Sequence, residues 1–269
     1  MSDNRAIGVF DSGLGGLTVV KELKKVLPGE SVVYFGDTGR VPYGNKSREI
    51  IRRYAQQDER LLLSHGVKLI IAACGTVSSV AKDTEKELPV PFVEVVSHAS
   101  AAAVKATKNG KIGVIGTVAT IKSNAHKNYI LGRMPDAEVY QNSCPLFVPL
   151  VEEGITSEND MMALEAAKRY LTPIIEKGVD TLILGCTHYP VLSDVLKKVC
   201  GDGVKLINMG EATAAYVKQY LTENDMLSNR DAAADRYLVS DKSESFSEMA
   251  RALLGSEDIE AETVDIEKI

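Results

Sequence analysis

The chain has no surplus of basic residues. Its 31 Lys and Arg are outnumbered by 37 Asp and Glu, for a formal net charge of −6. A phosphate backbone or an anionic bilayer attracts positive charge, so nucleic acid and membrane partners are poor readings of this composition. Long apolar runs are missing as well. The longest, Leu69 to Cys74, is far below the roughly 20 residues a membrane-spanning helix needs, and the first residues carry no apolar stretch of the signal-peptide kind. Cysteine is sparse. Cys74, Cys144, Cys186 and Cys200 include no C-x-x-C pair, and His65, His98, His126 and His188 are equally dispersed. That spacing argues against a disulfide framework and against a zinc site. A cytoplasmic protein with reduced thiols and no metal is the expectation.

What is present is a globular chain of 269 residues with 45% hydrophobic and 25% charged residues, long enough for one large domain or two small ones. Short β-rich runs alternate with amphipathic stretches, the pattern of an α/β protein with a parallel sheet. Strands are expected over Ala6–Phe10, Ser31–Phe35, Lys68–Ala73, Val90–Val95, Lys111–Ile115, Glu138–Gln141, Thr181–Leu184 and Lys205–Ile207. Helices are expected over Leu17–Val26, Ser47–His65, Ser78–Glu87, Asp160–Lys177 and Leu192–Val199. From about Gly210 a tail follows, with a helix, a strand Arg236–Ser240 and a helix Ser245–Leu254, which returns to complete the first half.

A weak internal echo adds to this. Ile7-Gly8-Val9-Phe10 recurs 105 positions later as Ile112-Gly113-Val114-Ile115, and the strand ending in Cys74-Gly75-Thr76 recurs 112 positions later, ending in Cys186-Thr187-His188. Each half then carries one cysteine at the same place.

Ligands in open α/β sheets sit beyond the carboxyl ends of the strands. Four such positions carry reactive side chains: Asp11-Ser12, Asp37 followed by Pro42-Tyr43-Gly44, Cys74-Gly75-Thr76, and Cys186-Thr187-His188. A thiol beside a helix start and hydrogen-bond donors can act as acid or base near neutrality. Ser78-Ser79 can cap the helix after Cys74, and Pro190 suits the first turn after Cys186. A random cysteine is more often a small apolar residue closing a strand, and Cys144 and Cys200 read that way. The pairing across two halves separates Cys74 and Cys186 from them. The loop Gly13 to Gly16 follows a strand, but Thr18 stands where a dinucleotide fingerprint needs glycine, even though Asp37 would imitate the ribose-binding acid. The loop can equally offer its N–H groups to a small carboxylate, with Asp11 facing an ammonium. His188, two residues beyond Cys186, could hydrogen-bond the thiol or orient a substrate, although a lone histidine in a turn is more often structural. Glu152-Glu153 reads either as a solvated helix start or as part of a site, and Lys46, Arg48, Arg52 and Arg53 form a solvated face.

These strings, with Val41-Pro42-Tyr43-Gly44 and the run from Cys144-Pro145 to Glu152-Glu153-Gly154, resemble the glutamate racemase family within the aspartate/glutamate racemase superfamily. The resemblance runs from about Ile7 to Glu211. It implies two similar doubly wound parallel-sheet α/β domains facing each other across a central cleft, 1–97 plus 210–269 and 98–209. It implies racemisation of glutamate without a cofactor, with Cys74 taking the α-proton of the D-enantiomer and Cys186 that of the L-enantiomer. Asp11 near Cys74, His188 near Cys186, and Glu152 would assist. Ser12, Thr76 and Thr187 would hold the α-amino and α-carboxylate groups and the Tyr43-Gly44 turn the side-chain carboxylate, with Asp11, Pro42, Gly75 and His188 completing the substrate-binding set. His188 separates the chain from aspartate racemases, which usually carry glutamate there. In the family D-glutamate feeds peptidoglycan, and a homodimer is the expected assembly. Alternatives are a superfamily member acting on another small carboxylate and a catalytically silent relative.

Two positions depart from the family pattern: Gly75 stands in place of asparagine, and Asn208 in place of aspartate. If the loop keeps the family shape, Gly75→Asn is tolerated. If Gly75 has a positive φ, asparagine is the least harmful replacement.

Overall fold

The structure, a computed structural model, describes residues 2–230, 233–241, 246, 250, 253–254 and 259–269. Two all-parallel sheets form the frame. The first contains β1 (Ile7–Asp11), β2 (Val32–Gly36), β3 (Leu69–Ala72), β4 (Phe92–Glu94), β9 (Arg236–Val239) and β10 (Ala261–Thr263) in the order β10-β9-β2-β1-β3-β4. The second contains β5 (Lys111–Gly116), β6 (Glu138–Ser143), β7 (Thr181–Gly185) and β8 (Lys205–Asn208) in the order β6-β5-β7-β8. The orders 2-1-3-4 and 6-5-7-8 are the same winding used twice. The echo of β1 in β5 and of β3 in β7 is thus an echo of topology, with the cysteine-bearing strand beside the opening strand in each sheet.

The strands are apolar on both sides because helices cover both faces. α1 (Leu17–Val26) buries Leu17, Val20 and Leu23, and places Lys24 and Lys25 in its last turn, where cations suit the helix dipole. α2 (Arg48–Ser64) is capped by Ser47, whose hydroxyl accepts from Ile50 N. α4 (Val95–Ala106) is capped by Glu94, and α10 (Met209–Glu223) by Asn208, which accepts from Gly210 N at 2.8 Å. Asparagine and aspartate cap about equally well, so this departure is absorbed by a backbone role. One core joins the halves: Ile7, Val9, Ile71, Ile112, Val114 and Ile183 share a cluster with Val20 of α1, Ala99 of α4 and Val217 of α10.

The tail adds a strand to the first sheet. β9 pairs with β2, and Asp235 at its start accepts from Val32 N at 2.9 Å and from Lys24 Nζ at 3.1 Å. β10, a further edge strand, was not anticipated; it is three residues with one buried position, too short to show a period. The expected helix Ser245–Leu254 lies mostly outside the described residues; Phe246 and Ala250 are buried in the shared core.

Three expectations need correction. The helix expected over Ser78–Glu87 is two pieces, α3 (Gly75–Val80) and a 3-10 turn Lys82–Glu87, divided at Ala81. Ser78 and Ser79 do not cap it. α3 begins directly after Cys74, and the two hydroxyls donate backward to Ala72 O (3.1 Å) and Gly75 O (2.6 Å), inside the helix they were expected to start. Glu152-Glu153 lies at the end of α7 (Phe147–Glu152), not at a helix start.

Candidate active site

Each sheet changes winding direction between its opening strand and its cysteine strand, and the crevice at such a switch point is where open α/β sheets bind ligands. The carboxyl ends of β1 and β3 in one half, and of β5 and β7 in the other, open onto one shared cavity of about 230 Å³. The first half lines it with Ser12, the turn from Val41 to Asn45, and Cys74-Gly75-Thr76. The second lines it with Thr117-Val118, Cys144-Pro145, Val148-Pro149, Glu152 and the run Cys186 to Tyr189.

Both paired thiols reach the cavity with only a sliver of surface, 5% for Cys74 and 6% for Cys186. Cys74 Sγ donates to Ser12 Oγ at 3.4 Å. Burial, reinforced by the nearby Asp11 carboxylate, pushes its thiol up to about 12. Cys186 Sγ is 3.9 Å from His188 Nδ1. On the far side of that ring, His188 Nε2 lies 3.4 Å from Glu152 Oε1, close enough for charge pairing but without hydrogen-bond alignment. Burial disfavours the imidazolium, yet Cys186, Glu152 and Asp11 outweigh it and hold His188 at about 10. Removing the Glu152 charge by Glu152→Gln is therefore expected to lower the pH at which His188 loses its proton. NMR titration of the imidazole checks this, and an unchanged midpoint would uncouple Glu152 from the ring.

Asp11 is fully buried and does not line the cavity. Its carboxylate accepts from Gly13 N (3.1 Å) and from Thr187 Oγ1 (3.4 Å), binding the first half to the second directly behind the thiols. Burial raises its pKa against the pull of His188 and the backbone donors. Of the glycine-rich loop only Ser12 faces the cavity. A Cβ at Gly15 would collide with Thr187 Oγ1 and sit 2.6 Å from His188 Nδ1, so this glycine permits the close approach of the two halves. The loop's space is filled by protein, and Asp37 is held by Arg40 Nε at 2.6 Å and by the Tyr43 phenol. Neither is free to take a dinucleotide.

Tyr43 and Gly44 both line the cavity, and the buried Tyr43 side chain carries its phenol to Asp37. Thr76 Oγ1 lies 3.1 Å from Thr117 Oγ1 across the two halves. Thr117 was not singled out by the sequence. The signal was available, since the offset of 105 that maps β1 onto β5 also maps Ser12 onto Thr117. Cys144 was read as a buried apolar residue; it is buried, but it also forms part of the cavity wall. Cys200 closes α9 (Ser193–Cys200) outside the cavity. The basic face is solvated as expected, with Arg52 paired to Asp83 and Glu87.

Gly75 corrects both expectations made for it. It has no positive φ, and a Cβ there would lie 2.6 Å from Gly185 O. Glycine is required because the start of α3 touches the end of β7, the two cysteine-bearing segments meeting backbone to backbone.

Among the described residues no group of three or more His, Cys, Asp or Glu side chains is arranged to hold a metal ion, and no helix is long and apolar enough to cross a membrane.

This architecture is matched by known proteins. The glutamate racemase of Chlorobaculum tepidum is 42% identical over 260 residues, 96% of this chain and 95% of that protein. The crystal structure of glutamate racemase from Francisella tularensis in complex with D-glutamate superposes with a TM-score of 0.92 at 39% identity, covering 99% of this chain and all of that one. The glutamate racemase of Thermus thermophilus in complex with β-chloro-D-alanine gives 0.89 at 40% identity, with both chains fully covered. The Asp/Glu/Hydantoin racemase family profile matches residues 14–217, a span that holds both cysteine strands and nearly every residue of the cavity, and the chain belongs to that family.

Proposed function

We propose that the cavity interconverts L- and D-glutamate by proton transfer at Cα, with Cys74 and Cys186 as the two acid/base groups. The observation that carries this reading is the pair of thiols at equivalent strand ends of two repeated sheets, both opening onto one cavity. Removing the α-proton leaves a planar carbanion, and inversion requires the new proton on the opposite face. Two bases, one contributed by each half, supply that without either crossing the substrate. A thiol is acid in one direction and base in the other, so the same pair serves both.

Of the two thiols, Cys74 rests neutral, raised by burial and by the Asp11 carboxylate. The ammonium of a bound amino acid brings positive charge beside them and favours the thiolate. His188, with Glu152 behind it, serves Cys186; Asp11 serves the Cys74 side and ties it to Thr187. Ser12, Thr76 and Thr187 hold the α-substituents, and the backbone of the Pro42-Tyr43-Gly44 turn takes the side-chain carboxylate. We further propose that 1–97 with 210–269 and 98–209 are the two domains, that the work is done in the cytoplasm, and that D-glutamate for peptidoglycan is the output. The relatives named glutamate racemase support the substrate.

The test is chiral chromatography of the purified protein with each enantiomer of glutamate and of aspartate and no added cofactor. Glutamate from either side is expected to reach equal amounts of the two forms. Faster turnover of aspartate would assign another substrate, and no turnover of any acidic amino acid would make the chain a silent relative.

A further inference from the structure

Behind the cavity wall formed by residues 41–45 lies a buried cluster of charged groups that the chemistry above does not use. Asp37 follows β2, Arg40 lies in the turn Thr38–Arg40, and Asp58 projects from α2. Both carboxyls are fully buried, and the Arg40 side chain is 11% exposed. Arg40 donates from Nε to Asp37 Oδ2 at 2.6 Å and from Nη2 to Asp58 Oδ1 at 3.2 Å. Its guanidinium lies 4.0 Å above the Tyr54 ring, and its Nη1 donates to Gln57 Oε1 and to the exposed Glu267. Tyr43 closes the cluster. Its phenolic oxygen is in hydrogen-bond contact with Asp37 Oδ2 and lies 3.2 Å from Asp58 Oδ2.

Counting protons decides how this arrangement holds together. A phenol has one proton, and two carboxyl oxygens face it. The shorter contact is with Asp37, which leaves a lone pair of the phenol aimed at Asp58. An ionised Asp58 would oppose that lone pair in a fully buried site, and the single guanidinium would face two buried carboxylates. A protonated Asp58 removes both conflicts, because its O–H donates to the phenol, the phenol donates to Asp37, and Asp37 pairs with Arg40.

We propose that Asp58 is a positioning residue, held as a neutral carboxylic acid whose proton orients the Tyr43 phenol and thereby fixes the 41–45 wall of the cavity. The surroundings agree. Burial, with Asp37 adjacent, raises Asp58 well above the ordinary carboxylate range despite Arg40. The neighbouring Glu59, itself held to Thr84 Oγ1 at 2.5 Å and raised by burial to about 7, adds no positive charge. Among the described residues, Lys46 and Arg53 lie over the Tyr54 ring, at 6.0 and 5.3 Å from its centroid.

The inference rests on the proposed glutamate reading only for its effect on binding; the protonation state is readable without turnover. Infrared difference spectra of the parent against Asp58→Asn at neutral pH are expected to show the carbonyl stretch of a protonated carboxyl that the variant lacks. In the glutamate assay, Asp58→Ala leaves the phenol without its donor and raises KM about tenfold with kcat within about threefold, the pattern of a lost buried hydrogen bond that acts on binding. Asp58→Asn, which restores a neutral donor, is expected to recover KM to within about twofold of the parent. Absence of the protonated-carboxyl band would overturn the proposal even if the enzyme racemises glutamate. So would an asparagine variant as impaired as the alanine one. A present band in a protein inactive on glutamate would leave the protonation assignment standing and remove the proposed substrate.

Discussion

Replacing either Cys74 or Cys186 by alanine is expected to lower racemisation by about a hundred- to ten-thousandfold, the range over which a positioned acid/base group contributes. The loss falls equally on kcat/KM in the two directions, because the two enantiomers are equal in free energy and no enzyme can alter that ratio. The double variant is expected to be little worse than either single one, since a chain of two proton transfers is broken by the loss of one. Cys200→Ala, at the end of α9 and outside the cavity, is the control and keeps parental rates. Steady-state kinetics on the four variants and the parent, with thermal unfolding to show that each is folded, decides the point. A single variant of Cys74 or Cys186 within a fewfold of the parent would remove that thiol from the chemistry.

The second large effect is on stability. The Cβ of any residue at position 75 must displace Gly185 O, backbone against backbone. Overpacking of this kind costs about 1–3 kcal/mol, and for a chain of this size each kcal/mol moves Tm by roughly 2–4 °C. Gly75→Ala and Gly75→Asn are therefore expected to be destabilised to a similar degree, because the clash is with the Cβ they share. Both are also expected to lose activity, since relief of the clash pushes Cys74 and Cys186 apart. Were a positive φ the reason for glycine, asparagine would stand well above alanine. Equal Tm values for the parent and both variants would refute the close-approach account.

The frame of the molecule was legible because parallel strands covered on both faces are near-continuous apolar runs, and Ile7–Asp11 and Lys111–Gly116 stand out as such. The two cysteines were legible because the repeat placed them at matching strand ends. What escaped was set by contact across the halves. The space at Gly15 is taken up by Thr187 and His188, far away in sequence. Gly75 is small because of Gly185, and a reading confined to its own loop could only invoke φ. The break at Ala81 and the backward-bonding Ser78 and Ser79 escaped for a local reason, since a serine near a helix start can cap it or bond within it. Asp37 illustrates the reverse case. At a strand end it imitates a ligand-binding acid, and only the fold reveals Arg40 and Tyr43 holding it.

The central claim is that the proton leaves Cα to one thiol and returns from the other. Brief reaction of each glutamate enantiomer in deuterium oxide, stopped long before equilibrium and resolved by chiral chromatography with mass spectrometry, tests it most directly. The account predicts that the newly formed enantiomer carries deuterium at Cα while the remaining substrate stays largely unlabelled, from either starting side. Early labelling of substrate and product to the same extent would mean that one base serves both faces, and would contradict it.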